Sequence, residues 1–268
     1  MSPLLATARF CRTIVELGAL PTDALPEIAF VGRSNAGKST ALNLLCQRRR
    51  LAFASNTPGR TQALNYFTLG PEETPTGYLV DTPGYGFAAT PQEVKRQWQK
   101  LIGPYLQERA TLRGVVLMLD ARRGVTELDL LLIRFMPLAV PLLALMTKAD
   151  KLTFSEQGRA LAEVARALRD DRPGLRTVIE RRVHAHTTNV KRHQPHSKPI
   201  LPPARIVTTV TGGLSDAVAQ PDGASTPTVT CEDALIAFSS LSRIGVDAAS
   251  DWVTTRLTGA GEEKAPAA

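Results

Sequence analysis

Six short apolar runs, near residues 28–31, 62–69, 77–81, 114–120, 140–146 and 233–238, punctuate the chain. Between them lie stretches whose apolar residues recur every three or four positions, near 38–48, 92–108, 126–136, 155–170 and 243–257. The continuous runs fit strands buried on both faces, and the wider spacing fits helices with one apolar side. Their alternation predicts a doubly wound α/β sheet, a form that binds ligands beyond the carboxyl ends of its strands. The segment from Tyr66 to Tyr78 carries Gly70-Pro71 and Pro75-Thr76-Gly77, so its two strands are expected to pair antiparallel. Trp98 and Trp252 fall on helical patterns, where packing roles are expected.

The pattern lapses between about 172 and 230, where Pro, Thr, Gly and His dominate and no acid occurs from Glu180 to Asp216. A largely disordered, basic insertion before the last strand is expected there. All four histidines, His184, His186, His193 and His196, lie in it. Their spacing could clasp a transition metal, but His among Arg and Lys fits a polar loop better. Arg181, Arg182, Lys191, Arg192, Lys198 and Arg205 make it a candidate RNA tether.

The chemistry sits at the predicted strand ends. Gly32-Arg33-Ser34-Asn35-Ala36-Gly37-Lys38-Ser39 fits the phosphate-binding loop G-x-x-x-x-G-K-[ST], between the run Ile28–Val31 and a helical pattern. Its glycines let backbone N–H groups approach phosphate oxygens, and the helix N-terminus adds partial positive charge. Lys38 can reach the β- and γ-phosphates, and the Ser39 hydroxyl can ligate Mg²⁺. Asp81-Thr82-Pro83-Gly84 ends the run Gly77–Val80, placing a carboxylate for the Mg²⁺ shell and the Gly84 N–H for the γ-phosphate. Thr147-Lys148-Ala149-Asp150 closes a third run and matches [NT]-K-x-D. The Asp150 carboxylate can accept from the guanine ring N–H and exocyclic amine; with adenine it would be left unpaired. Lys148 would lay its aliphatic stem along the base. In the loop Asn56–Gln62, Thr61 is the favoured further Mg²⁺ ligand, with Thr57 equally placed on spacing alone.

Together these residues resemble the EngB family of bacterial GTP-binding proteins, within the translation-factor-like P-loop GTPases. The resemblance rests on G-R-S-N-A-G-K-S at 32–39, T-P-G-R-T-Q at 57–62, D-T-P-G-Y-G at 81–86 and T-K-A-D at 147–150. Phe238-Ser239-Ser240, followed by Gly245-Val246-Asp247, is similar to that family's last nucleotide motif and final helix. The fold implied is α/β: a Ras-like P-loop GTPase with a mostly parallel six-stranded sheet and helices on both faces. Residues 25–171 and 231–258 would form the domain, after an extension at 1–24, around the insertion at 172–230 and before a tail at 259–268.

Carried over by position, Gly32, Arg33, Ser34, Asn35, Ala36, Gly37, Lys38 and Ser39 would bind the phosphates. Gly59, Arg60, Thr61, Gln62 and Ala63 would make the first switch contact, and Asp81, Thr82, Pro83 and Gly84 the second. Thr147, Lys148, Ala149 and Asp150 would read the base, with Phe238, Ser239 and Ser240 packing against it through backbone N–H groups. Ser39 and Thr61 would hold Mg²⁺, while Lys38, Thr61 and Gly84 would carry the hydrolysis of GTP to GDP. The resemblance further implies a monomeric cytoplasmic protein that assists assembly of the large ribosomal subunit, contacts rRNA and is needed for normal septation and cell division.

Composition narrows this picture. The 268 residues carry a net charge of +7, so an anionic partner is expected, RNA before a membrane. Arg48-Arg49-Arg50 and Lys95-Arg96 are candidate phosphate contacts. Cys11, Cys46 and Cys231 are odd in number and lack C-x-x-C spacing, which argues against a disulfide framework or a zinc site. The run Met136–Met146, broken by Pro137 and Pro141, is too short to span a bilayer.

Where many GTPases carry a glutamine after D-x-x-G, this chain has Tyr85, which lacks the amide to orient water, so slow intrinsic turnover is expected. Asn35 resembles the ligand with which related GTPases recruit a potassium ion. Two other readings compete. A P-loop ATPase or nucleotide kinase is opposed by Asp150 and by the lack of an Arg-rich lid; a division-associated interaction protein would use GTP only for shape.

Overall fold

A computed structural model of the chain describes residues 1–52, 63–85, 98–182, 205–210 and 233–259. The six expected strands form, as β2 (Glu27–Gly32), β3 (Leu64–Leu69), β4 (Gly77–Asp81), β5 (Leu112–Asp120), β6 (Leu142–Thr147) and β9 (Ala234–Ala237). Three more join them, β1 (Arg9–Ile14), β7 (Arg176–Arg182) and β8 (Arg205–Val210), giving one sheet in the order β1-β3-β4-β2-β5-β6-β9-β7-β8. The pairings β4-β2-β5-β6-β9-β7 are parallel, and the hairpin β3-β4 is antiparallel as its turn residues require. The antiparallel pairs β1-β3 and β7-β8 close the two sides.

The expected sheet of six strands is therefore extended at both edges. β1 lies in what was expected to be an extension outside the domain. Its register shifts between Phe10 and Arg12, leaving Phe10 exposed and Ile14 buried, so no two-residue period marks it in the sequence. β7 and β8 fall in the expected disordered insertion; β7 docks beside β9 with Val178 fully buried. The four histidines, Cys231, Lys191, Arg192 and Lys198 lie outside the described residues, as do Lys95, Arg96 and the side chains of Trp98, Arg181, Arg182 and Arg205.

The central strands alternate their side chains between two apolar layers. Ala29 and Val31 face one layer, built with α3 (Gly103–Glu108), α4 (Glu127–Phe135) and α5 (Phe154–Leu168). Ile28 and Phe30 face the other, built with α1 (Pro3–Ala6), α2 (Lys38–Leu45) and α6 (Val246–Thr258). A turn of π type, Trp98–Ile102, leads into α3. Among the described residues no helix is long and apolar enough to cross a membrane.

The end of β2 remote from the phosphate loop is pinned by Glu27, whose fully buried carboxylate accepts from Tyr66 Oη at 3.0 Å, Tyr105 Oη at 2.8 Å, Thr111 Oγ1 at 2.9 Å and Arg109 Nε at 2.7 Å. A buried charge satisfied in this way fixes its strand at little net cost, whereas the same charge with a partner removed would be costly.

Trp252 of α6 is 1% exposed and lies against β5 at Gly114, where an added Cβ would sit 2.6 Å from the indole Cη2. Gly114→Ala must push this ring aside, and urea unfolding is expected to show a loss of about 1–3 kcal/mol. Unchanged stability would mean that Trp252 packs elsewhere.

Candidate functional site

β2, β4, β5 and β6 all deliver residues to the same edge of the sheet, and the expected motifs meet there. The phosphate loop leaves β2 at Gly32, where a Cβ would come within 2.8 Å of Met118 Cβ on β5; only glycine lets the loop start so close to the neighbouring strand. Asn35 and Gly37 take left-handed backbone conformations (φ 66° and 93°) that turn the loop into α2. The first bond of that helix runs from Ala41 N to Gly37 O, and no side chain caps its N-terminus. The N–H groups of Lys38, Ser39 and Thr40 therefore precede the helical bonding pattern and are directed toward the loop's hollow.

The loop is held from the side of the Thr147–Asp150 motif. Thr147 Oγ1 lies 2.7 Å from Ala36 O and 2.9 Å from Leu119 O and donates to one at a time. Lys148 Nζ donates to Asn35 O and to Asp120 Oδ2, both at 2.8 Å, from a residue with φ of 60°. Asp120, which belongs to none of the sequence motifs, ends the run 114–120 just as Asp81 ends its own. Burial pushes its carboxyl up, but hydrogen bonds from Arg122 and Lys148 outweigh that and hold it well below the usual carboxylate range.

On the other side, Lys38 Nζ pairs with Asp81 Oδ1, both side chains being about nine-tenths buried. Thr82 N donates to Phe30 O at 3.1 Å, and Gly84 packs so tightly that a Cβ would meet Ser34 Oγ at 2.9 Å and Ser34 Cα at 3.0 Å. Ser39 is half-buried beside Lys38. Gly59, Arg60, Thr61 and Gln62 lie outside the described residues, whereas Ala63 is buried at the start of β3.

Asp150 is oriented by Ser239, whose hydroxyl donates to its Oδ1 at 2.7 Å; this bond chiefly keeps the carboxyl below its ordinary range. The remaining residues of the last motif differ from expectation. The Phe238 N–H donates to Met146 O at 2.8 Å and the Ser239 N–H to Ile244 O at 3.1 Å, so neither can serve a base as well. The Phe238 side chain is core, and Ser240 alone of the three is exposed. The strand ladder and the turn after it claim those N–H groups, a demand that the three letters F-S-S do not reveal.

The hydroxyl and carboxylate oxygens of Ser39 and Asp81 are hard donors of the kind Mg²⁺ takes, and the ammonium of Lys38 suits phosphate. Such a set, beside an oriented Asp150, can hold a guanosine triphosphate with its metal.

The 50S ribosome-binding GTPase family matches residues 27–148. A probable GTP-binding protein EngB of Ralstonia nicotianae is 52% identical over 168 residues, covering 62% of this chain and 72% of that protein. Another, of Paraburkholderia phymatum, is 53% identical over 169 residues, covering 63% of this chain and 77% of its own. The chain belongs to the EngB family of GTP-binding proteins. It is thus a GTPase of the P-loop class. A crystal structure of a probable GTP-binding protein engB shares the fold, with a TM-score of 0.50 at 15% identity over 87% of this chain and 99% of that one.

In this EngB-family site the Lys38–Asp81 pair stands on its own energetics. Lys38→Ala leaves a buried carboxylate unpaired and is expected to lower the unfolding free energy by about 3 kcal/mol, with Asp81→Ala in the same chain restoring part of it. Additive losses in urea unfolding would show that the two side chains do not interact.

Proposed function

We propose that the chain is a slow, Mg²⁺-dependent GTP switch that assists assembly of the large ribosomal subunit. The observation that carries the nucleotide choice is Asp150, fixed by Ser239 on the loop that also tethers the phosphate loop through Thr147 and Lys148. An ATPase or kinase reading offers that oriented carboxylate no pair of base N–H donors, since adenine presents none there. Ser39 and Thr61 would hold the metal, which neutralises charge on the β- and γ-phosphates. Lys38 would then serve the same oxygens and the Gly84 N–H the γ-phosphate.

Support for the ribosomal role comes from the matched family, described as 50S ribosome-binding, and from the net charge of +7. Arg48, Arg49 and Arg50 stand exposed in the turn after α2, just before the first switch segment, where they can meet rRNA phosphates. The family resemblance extends the reading to septation and division, and to a cytoplasmic monomer. With GTP bound the protein should sediment with large ribosomal subunits, and less so with GDP. Equal distribution in a non-hydrolysable GTP analogue and in GDP would remove the switch.

Asn35 is exposed at the loop's tip, and its side-chain oxygen suits a large, weakly hydrated cation. Turnover is expected to run faster in potassium than in sodium at equal ionic strength, and Asn35→Ala to erase the difference. Identical rates in the two salts, alone and with ribosomal subunits, would exclude potassium.

A further inference from the structure

Tyr85, the first residue after the second switch motif, is 4% exposed and turned away from solvent. Its hydroxyl donates to Asp129 Oδ1 in the first turn of α4. Burial, followed by the field of Asp129, raises the phenol well above its ordinary range, so it remains a donor throughout the physiological range. Asp129 is 1% exposed, and its other oxygen is claimed by Thr126 N and Thr126 Oγ1, both at 2.7 Å, closing the helix cap. The carboxylate therefore joins the start of a rigid helix to the root of the second switch.

The backbone at the same point is tied to the phosphate loop. Tyr85 N donates to Gly32 O at 3.2 Å, Ser34 N to Tyr85 O at 2.9 Å and Ser34 Oγ to Gly84 O at 3.2 Å. Gly84 has no room to move toward Ser34, since even a methyl group would collide there. The position of the Gly84 N–H is thus set jointly by the phosphate loop on one side and, through the Tyr85 ring, by α4 on the other.

We propose that Asp129 and Tyr85 are positioning residues for GTP hydrolysis, a latch by which α4 fixes Gly84 against the γ-phosphate. This rests on the GTPase reading and adds to it a role for Tyr85 other than the absent water-orienting amide. A macromolecule that shifts the N-terminus of α4 would act on turnover through the same bond.

The test is Tyr85→Phe, which keeps the buried ring and removes the hydroxyl that donates to Asp129. Its match is Tyr78→Phe, which takes a phenol from Asp23 Oδ2 (2.8 Å) at the far end of β4. In Tyr85→Phe the single-turnover rate is expected to fall about tenfold, as for small misplacements of reacting groups. GDP affinity should stay within twofold. Tyr78→Phe should change neither. Thr126→Val, which touches Asp129 but not the switch, should lower the rate in the same direction. A rate in Tyr85→Phe equal to that of the unaltered chain, with GTP bound normally, would overturn the latch alone. No GTP binding by the unaltered chain would instead overturn the GTPase reading on which it stands.

Discussion

The nucleotide site depends on how the carbonyls of the phosphate loop are disposed. In a planar trans peptide the C=O and the following N–H point to opposite sides, so whatever holds the carbonyl aims the donor. Thr147 holds the Ala36 carbonyl and Lys148 the Asn35 carbonyl. The Gly37 N–H, in the peptide after Ala36, is thereby turned away from Thr147 toward the loop's concave side. The same two residues belong to the motif proposed to read the base. The Thr147–Asp150 motif and the phosphate loop are consequently one mechanical unit: Asp120, bound to Lys148 and Arg122, anchors it to β5, and a disturbance at either motif reaches the other.

Such a unit needs strands that end in register. β2, β5 and β6 run parallel with Val31 opposite Leu117 and Leu119 opposite Met146, so their carboxyl ends emerge side by side. The strands are buried on both faces, which fixes register strongly, because any slip would carry polar strand-end residues into the core. This is why the fold was legible in the chain. Unbroken apolar runs ending in Gly32, Asp81, Asp120 and Thr147 state both where each strand stops and what it presents there.

Features that rest on partners far apart in sequence were not legible. β1 carries a bulge and buries little besides Ile14, so its evidence lies in β3, some fifty residues on. Asp129 reads as an ordinary helix-start acid; only the fold brings Tyr85 to it. Phe238 and Ser239 were expected to offer N–H groups to a base, but ladder and turn bonds with Met146 and Ile244 take precedence, since a buried N–H is satisfied wherever the backbone first provides an acceptor. Local motifs record chemistry. The competition for each donor is settled by tertiary neighbours.

The same distinction explains how β9, which carries the last motif, reaches its place after so long an excursion. Between β7 and β9 the chain also supplies β8, which pairs with β7 and not with β9, so β9 needs its own means of entry. Anchors stand at the two roots of the excursion. Arg172, fully buried, donates to Val140 O at 3.0 Å and lies 3.8 Å from Asp233 Oδ1. Asp233 in turn accepts from Leu142 N at 2.7 Å and bonds Arg176 N through its carbonyl at 3.2 Å. Both roots are thus fastened to the start of β6, next to one another. A charge left buried without its partner would cost several kcal/mol, so the pair is strong enough to set where the chain re-enters the sheet. With its entry to the sheet set there, β9 delivers Ser239 beside Asp150.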